Sequence, residues 1–478
     1  MNKKILLTLY TLLTISATHS PYVQARSTNK TFLATRPVLL NRADDMLIRT
    51  HLHKPPKKNY RPASFNAQLF YTESTNFYDL GCYFGCTGNN YYTTFVPSGS
   101  LAPDRDLGRL IYNSDRTQNT VPNTIFLNPK HNEYGIKFSY LQDFAALKPG
   151  LYGRVLIPVT TVENNLGMII AGPNAERLQQ YFSGSLPAIA EGSNNARTPL
   201  KAALINGTQR KTGIADVDFL LGYTIKHEPS HRVGIHLATS LPTGSVPDGK
   251  YAFEPVLGNG GHIASGIGID YQENFIHNNY ITVGLNCQCD YRYGFAATEK
   301  RTLTINNTKI SQYALATDKP IGSLLNTIVT IPNANFLTQS VVVTPGSMLD
   351  LVIEMHCAKK TLHAWLGYNF MYKSRGSVKL NSQWNNSLYN YILSYNLNLS
   401  SNTTQLSTND TSAITEQIID THAASAHALT HGIYGGISHQ TISTKKPVTL
   451  SISGHRAWAS CNSSLATRGI TCSIGMTF

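Results

Sequence analysis

The stretch Gly469–Phe478, GITCSIGMTF, alternates without a break. Ile470, Cys472, Ile474, Met476 and Phe478 are apolar, and Thr471, Ser473, Gly475 and Thr477 between them are small or polar. A period of two puts successive side chains on opposite faces of a strand, so this strand has two unlike faces. In a water-soluble sheet the apolar face meets a core. In a transmembrane barrel it meets lipid, and the small polar face meets the lumen. The stretch fits either, and the rest of the chain decides.

The alternation recurs upstream. In 280–293 Ile281, Val283, Leu285, Cys287, Cys289, Tyr291 and Tyr293 oppose Thr282, Gly284, Asn286, Gln288, Asp290 and Arg292. Segments 217–226, 349–357 and 362–373 repeat it, and further strands are expected near 66–73, 134–142, 151–162, 232–241, 262–271, 431–439 and 448–458. The joints take turns in length. Short ones fall at 143–150, 227–231, 272–279, 358–361 and 440–447, between long segments such as 74–133, 163–214, 294–348 and 374–430. A sandwich gives no reason for that asymmetry, whereas outer-membrane barrels have short periplasmic turns and long external loops. The expected fold is all-β: a single transmembrane antiparallel barrel of about twelve strands, or fourteen if the loops hide another hairpin. Composition agrees, with 35 Gly and 26 Tyr but only 14% charged residues against a typical ~25%.

The N-terminus reads as an export signal. Asn2-Lys3-Lys4 is followed by an apolar run from Ile5 to Ala17, and Val23-Gln24-Ala25 suits peptidase cleavage. Residues 1–25 are therefore assigned as signal peptide, 26–65 as a basic extension or plug, and 66–478 as barrel. No stretch approaches the ~18 apolar residues of a membrane helix, a test blind to barrels.

Residues 469–478 resemble the C-terminal strand of Gram-negative outer-membrane proteins, in which a final Phe and alternating apolar residues are read by the barrel-insertion machinery. The resemblance implies outer-membrane localisation, Phe478 as the assembly signal, and the barrel-assembly machinery, outer-membrane lipid and lipopolysaccharide as partners. Residues 240–271, SLPTGSVPDGKYAFEPVLGNGGHIASGIGIDY, look like a strand-loop-strand of the FadL and phenol-degradation (MetA-type) transporters. The Asn-Pro-Ala hatch motif of FadL proper is absent after the signal.

The net charge of +13 invites an anionic partner, but nine basic and two acidic residues cluster between Arg26 and Arg61. No helix-turn-helix, RNP or zinc-finger pattern accompanies them, so nucleic acid is not expected. Inward by alternation lie Lys137, Arg154, Lys226, Arg232, Arg292 and Lys373, against Asp218, Asp270, Asp290, Asp350 and Glu354. These either face one another across water as pore-lining charge that sets ion preference, or pair and fill a narrow barrel.

Cys82 and Cys86, in GCYFGC, are a disulfide candidate after export. Cys287, Cys289, Cys357 and Cys472 fall on lipid-facing positions, and Cys461 has no evident partner. His422, His427 and His431 could line a short loop helix, with spacing that only half suits a metal. No metal or cofactor is expected. Ser438, Ser453 and His455 face the lumen, the wrong side for lipid hydrolysis, so no enzyme is expected. The leading function is a channel or transporter passing a small solute that the sequence does not name. The competing class is a surface-exposed structural or adhesin-like barrel whose long loops bind a host or cell-surface partner.

Overall fold

A computed structural model describes residues 30–35, 63–85, 92–95, 123–173, 175–186, 198–228, 230–278, 280–305, 311–317, 330–383, 390–392, 411–413, 419–420, 423–441 and 447–478. Twelve antiparallel strands close into a ring: β1 (Ala63–Ser74), β2 (Lys130–Asp143), β3 (Leu151–Asn165), β4 (Val217–His227), β5 (His231–Leu241), β6 (Ala264–His277), β7 (Thr282–Gly294), β8 (Met348–Lys359), β9 (Leu362–Lys373), β10 (Ala428–Gln440), β11 (Val448–Ala459) and β12 (Thr467–Thr477). Each pairs with its sequence neighbour, and β12 returns to β1 in a register running from Ser64↔Thr477 to Ser74↔Thr467. The Ala63 and Phe478 backbones exchange two hydrogen bonds of 2.9 Å at that seam.

Closure removes every unpaired edge, which a wall standing in lipid requires because lipid offers the backbone no partner. The alternation then sorts side chains. Leu69, Leu221, Leu237, Ile267, Ile269, Leu366, Ile437 and Ile474 point outward and are exposed, whereas Gln68, Arg154, Asp218, His236, Asp290 and Glu354 point inward and are buried. Such an inside-out distribution is that of a transmembrane barrel. Cys287, Cys289, Cys357 and Cys472 share the outer face with these apolar side chains.

One end carries tight turns. Between β8 and β9 the turn drives Lys360 into the left-handed region at φ 54°. The other end carries the long segments, and these fold into a cap. Helix α1 (Phe77–Phe84) buries Leu80, Tyr83 and Phe84, and α2 (Ala175–Ser183) buries Leu178, Tyr181 and Phe182, the i, i+3, i+4 stripe of a one-sided helix. Those six side chains share a core with Leu33, Phe253 and Tyr313. The Tyr181 hydroxyl donates to Tyr313 O and the Tyr313 hydroxyl to Ala203 O, both at 2.8 Å, so two of the long connections are joined. A second core forms around the strands Ala297–Thr302, Thr338–Thr344 and Ser377–Leu380 with helix α3 (Asn333–Leu337).

Two readings need correction. A bulge between Thr224 and Lys226 shifts β4, so Lys226 pairs with outward-facing Val233 and meets Glu228 at 3.0 Å, outside the lumen. His431 lies on the outer face of β10, its ring 5.8 Å from that of Trp458, rather than on a loop helix. His422, Cys86 and the assigned signal peptide lie outside the described residues; Cys82 is buried on α1.

Candidate permeation lumen

Inward side chains of β3 to β8 are wired together. The Arg292 guanidinium on β7 forks onto Asp218 of β4 (Nη1 to Oδ1 2.6 Å, Nη2 to Oδ2 3.0 Å), and Nη1 also reaches Ser240 of β5 at 2.7 Å. Neither partner of the ion pair exposes more than 2% of its side chain. The His236 ring on β5 is clamped between two carboxylates, Nδ1 at 3.1 Å from Asp270 and Nε2 at 2.7 Å from Asp290. Tyr152 donates to Asp270 at 3.0 Å, and Gln288 donates to Asp290. Glu354 accepts from Asn286 at 3.0 Å and from the Tyr434 hydroxyl at 3.0 Å, and Asn369 donates to Asp350 at 2.7 Å.

Such buried charges persist only because donors fill their valences. Glycines make room for the large partners. A Cβ on Gly268 would overlap the His236 imidazole, and one on Gly222 would overlap the Tyr152 ring. The small inward residues of the alternation are therefore mortises for side chains crossing from neighbouring strands.

The other wall is built differently. The inward positions of β11 and β12 are Thr449, Ser451, Ser453, His455, Ala457, Thr467, Gly469, Thr471, Ser473 and Gly475, and nearly all stay partly accessible. Leu156 of β3 packs against Met348 of β8 and Met371 of β9, so apolar side chains from strands far apart in the ring meet across the lumen. On the loop side of this contact lies a cavity of about 100 Å³, lined by Phe70, Glu133, Lys137, Asn369, Lys373, Tyr434, His455 and both methionines.

The inward charges picked out by alternation thus occupy three environments. Asp218, Asp270, Asp290, Arg292 and Glu354 belong to the wired wall. Arg154 and Arg232 are buried beside it, Arg232 stacking 5.7 Å from the centre of the Tyr152 ring. Lys137, its ammonium 5.0 Å from the centre of the Phe70 ring, and Lys373 line the cavity. Arg292 meets Asp218 in direct contact, and the His236 ring bridges Asp270 and Asp290. Sequence reasoning passed over His236, Tyr152, Tyr434 and the Leu156–Met348–Met371 contact. His236 did carry a signal, an inward histidine between Gly234 and Ala238, but its carboxylate partners depend on cross-strand register.

Residues 30–35 sit at the loop end. Lys30 N–H donates to Tyr83 O at 2.9 Å, the Tyr83 hydroxyl donates to Phe32 O at 2.7 Å, and the Arg301 guanidinium lies 3.6 Å from the centre of the Phe32 ring. Ala34 and Thr35 reach the cavity.

No protein-family model and no curated protein matches the chain. Among solved structures it is similar to the COG4313 outer membrane channel from Pseudomonas putida F1, at 8% identity and TM-score 0.35, over 89% of this chain and all of that one. It is also similar to the CymD monoaromatic hydrocarbon channel, at 9% identity and TM-score 0.28, covering 95% and 98% of the two chains. The autotransporter NalP translocator domain from Neisseria meningitidis matches at 6% identity and TM-score 0.29, covering 91% and 95%.

Proposed function

We propose that this chain is an outer-membrane channel for small uncharged or weakly polar solutes, whose route follows the hydroxyl-lined wall of β11 and β12 and is closed by the Leu156–Met348–Met371 contact. The reading rests on one observation. The inward charges of β3 to β8 are buried among polar partners, while the inward surface of β11 and β12, mostly Ser, Thr and Gly with Ala457 and His455, stays partly accessible. Charges neutralised in place exert little pull on an ion, and an apolar constriction gates by excluding water. The solved channels similar in outline are consistent with this reading.

The basic extension serves the same lumen as a plug. Its described ends lie at opposite ends of the barrel, Thr35 at the cavity mouth and Ala63 beside Phe478 at the turn end.

Planar-bilayer conductance tests both parts. Full-length protein is expected to conduct weakly, deletion of residues 26–61 to raise conductance, and Leu156→Ala with Met371→Ala to raise it further. Absence of conductance from all three forms would remove the channel. The surface-anchor reading, which the folded cap favours, would then stand alone.

A further inference from the structure

A second charged assembly lies on the outer face of the barrel, at the loop end. Arg456 of β11 and Arg468 of β12 are direct cross-strand partners, on the same parity as outward-facing Ile452, Ile470 and Ile474. Like charges placed opposite each other on a sheet repel. Only one of the two has a carboxylate among the described residues. Arg468 pairs through Nε with Glu73 of β1, and two-thirds of its side chain is still exposed. Among the described residues Arg456, also exposed, stands against the Trp458 ring, 5.7 Å from its centroid. The Tyr71 hydroxyl donates to the second oxygen of Glu73 at 3.1 Å, so both carboxylate oxygens are engaged.

The surroundings continue around the rim. The Tyr71 and Tyr134 rings lie 6.4 Å apart, Tyr134 donates to Glu163 at 3.0 Å, and Arg210 stands over Tyr134 within 3.6 Å of Glu163. Farther toward the turn end the outward face is apolar: Ile470, Cys472, Ile474 and Met476 on β12, and Ile452 and Leu450 on β11. The two guanidiniums thus stand at the upper border of the lipid-facing band, where headgroups lie.

We propose that Arg456 and Arg468 jointly bind a phosphate group on the saccharide headgroup of an outer-leaflet lipid, the lipid A portion of lipopolysaccharide. A phosphate seated between them turns a repulsive pair into two charge-assisted forks, the geometry for which guanidinium is suited. Trp458 holds one guanidinium and Glu73 the other, so little side-chain freedom is lost on binding. The hydrocarbon chains then lie along the apolar rows of β11 and β12. This inference rests on the outer-membrane placement proposed above but not on conduction.

The test uses full-length protein in phosphatidylcholine nanodiscs doped with lipid A or with enzymatically dephosphorylated lipid A, and counts retained lipid by native mass spectrometry. Retention of the phosphorylated form is expected to exceed that of the dephosphorylated form by roughly tenfold or more, and Arg456→Ala with Arg468→Ala to abolish the difference. Arg456→Gln, which leaves the Glu73–Arg468 pair intact, is expected to lose most of it while folding normally by heat-modifiable gel mobility. Conductance of these variants is expected to be unchanged, so loss of lipid preference and loss of conduction are read separately. Equal retention of both lipids, retention unaffected by the alanine pair, or full displacement of lipid A by inorganic phosphate would each overturn the assignment. A cell-surface tag in the 374–427 segment tests the placement itself: its absence from the surface of intact cells would remove the outer-leaflet source.

Discussion

The wall of β3 to β8 and the wall of β11 and β12 share a backbone and a period of two, yet they solve the interior in opposite ways. The first fills it with ion pairs, amides and a clamped histidine spanning several strands. The second leaves hydroxyls and glycines facing space. A barrel of this size is wide enough that one wall can be packed against itself while the other remains a passage. On the proposed reading, structural and conductive duties fall to different arcs of one ring, and substitutions on the two arcs should have different kinds of consequence.

The largest expected effect would come from breaking the packed arc. Arg292→Ala leaves the Asp218 carboxylate buried without its fork, and loss of one partner of a buried pair costs about 3–5 kcal/mol. The midpoint of urea unfolding, read by heat-modifiable mobility, is expected to fall, with ion selectivity unchanged in whatever barrel survives. A shift in selectivity without destabilisation would mean that Arg292 faces water and the two arcs are alike.

The reverse signature is expected on the hydroxyl arc. Ser453→Arg places a charge on accessible surface, so reversal potential in a salt gradient should move toward anions while stability changes by less than about 1 kcal/mol. The shift should fade near 1 M salt, where the screening length is about 3 Å. The same measurement on Asp290→Asn should show little movement.

A subtler expectation concerns the seam. Phe478 exchanges backbone bonds with Ala63 but exposes 40% of its surface, and an acidic residue close to the interface costs a finished barrel about 1 kcal/mol or less. Phe478→Asp should therefore leave refolded protein nearly as stable as the parent while lowering the yield of folded barrel in cells. Equal loss in both settings would make the terminal aromatic a stability element rather than an assembly signal.

The smallest effect lies above the membrane, over the packed arc. Burial pushes the Asp216 carboxyl up to about 6, against backbone N–H bonds from Asn259 and Gly244 that pull it down. Burial likewise raises Glu254 to about 7, despite N–H donors from Asp248 and Gly249. Both groups hold protons in the folded loop that the unfolded chain would release. Their contribution is complete below the ordinary carboxylate range and is lost as pH rises through about 6 and about 7. Hydrogen exchange of segment 242–263 should quicken modestly over that window. A loop tightening with rising pH would contradict the assignment.

Strand number, inside and outside faces, and the alternation of loop lengths were legible because each depends on period two within a single segment. Leu349, Leu351 and Ile353 announce their face without any neighbour. What escaped depends on neighbours. Arg292 and Asp218 lie on strands separated by two others, so their meeting is fixed by tilt and stagger that no local pattern records. Lys226 was misplaced because one bulged residue inverts parity for everything after it. The cap was invisible for a related reason: Leu80, Phe182, Phe253 and Tyr313 come from four separate connections and form a core only after the ring has set their spacing.

The seam at Ala63 and Phe478 also fixes an order of events. No hydrogen-bonded ring exists until the first and last strands meet, so every earlier stage of assembly carries two open strand edges, each a template for the wrong neighbour. The contact that ends this exposure joins the most distant pair of strands in the chain, and closure over so long a loop is slow. Such a chain carries two templates for self-association until a single final step removes both.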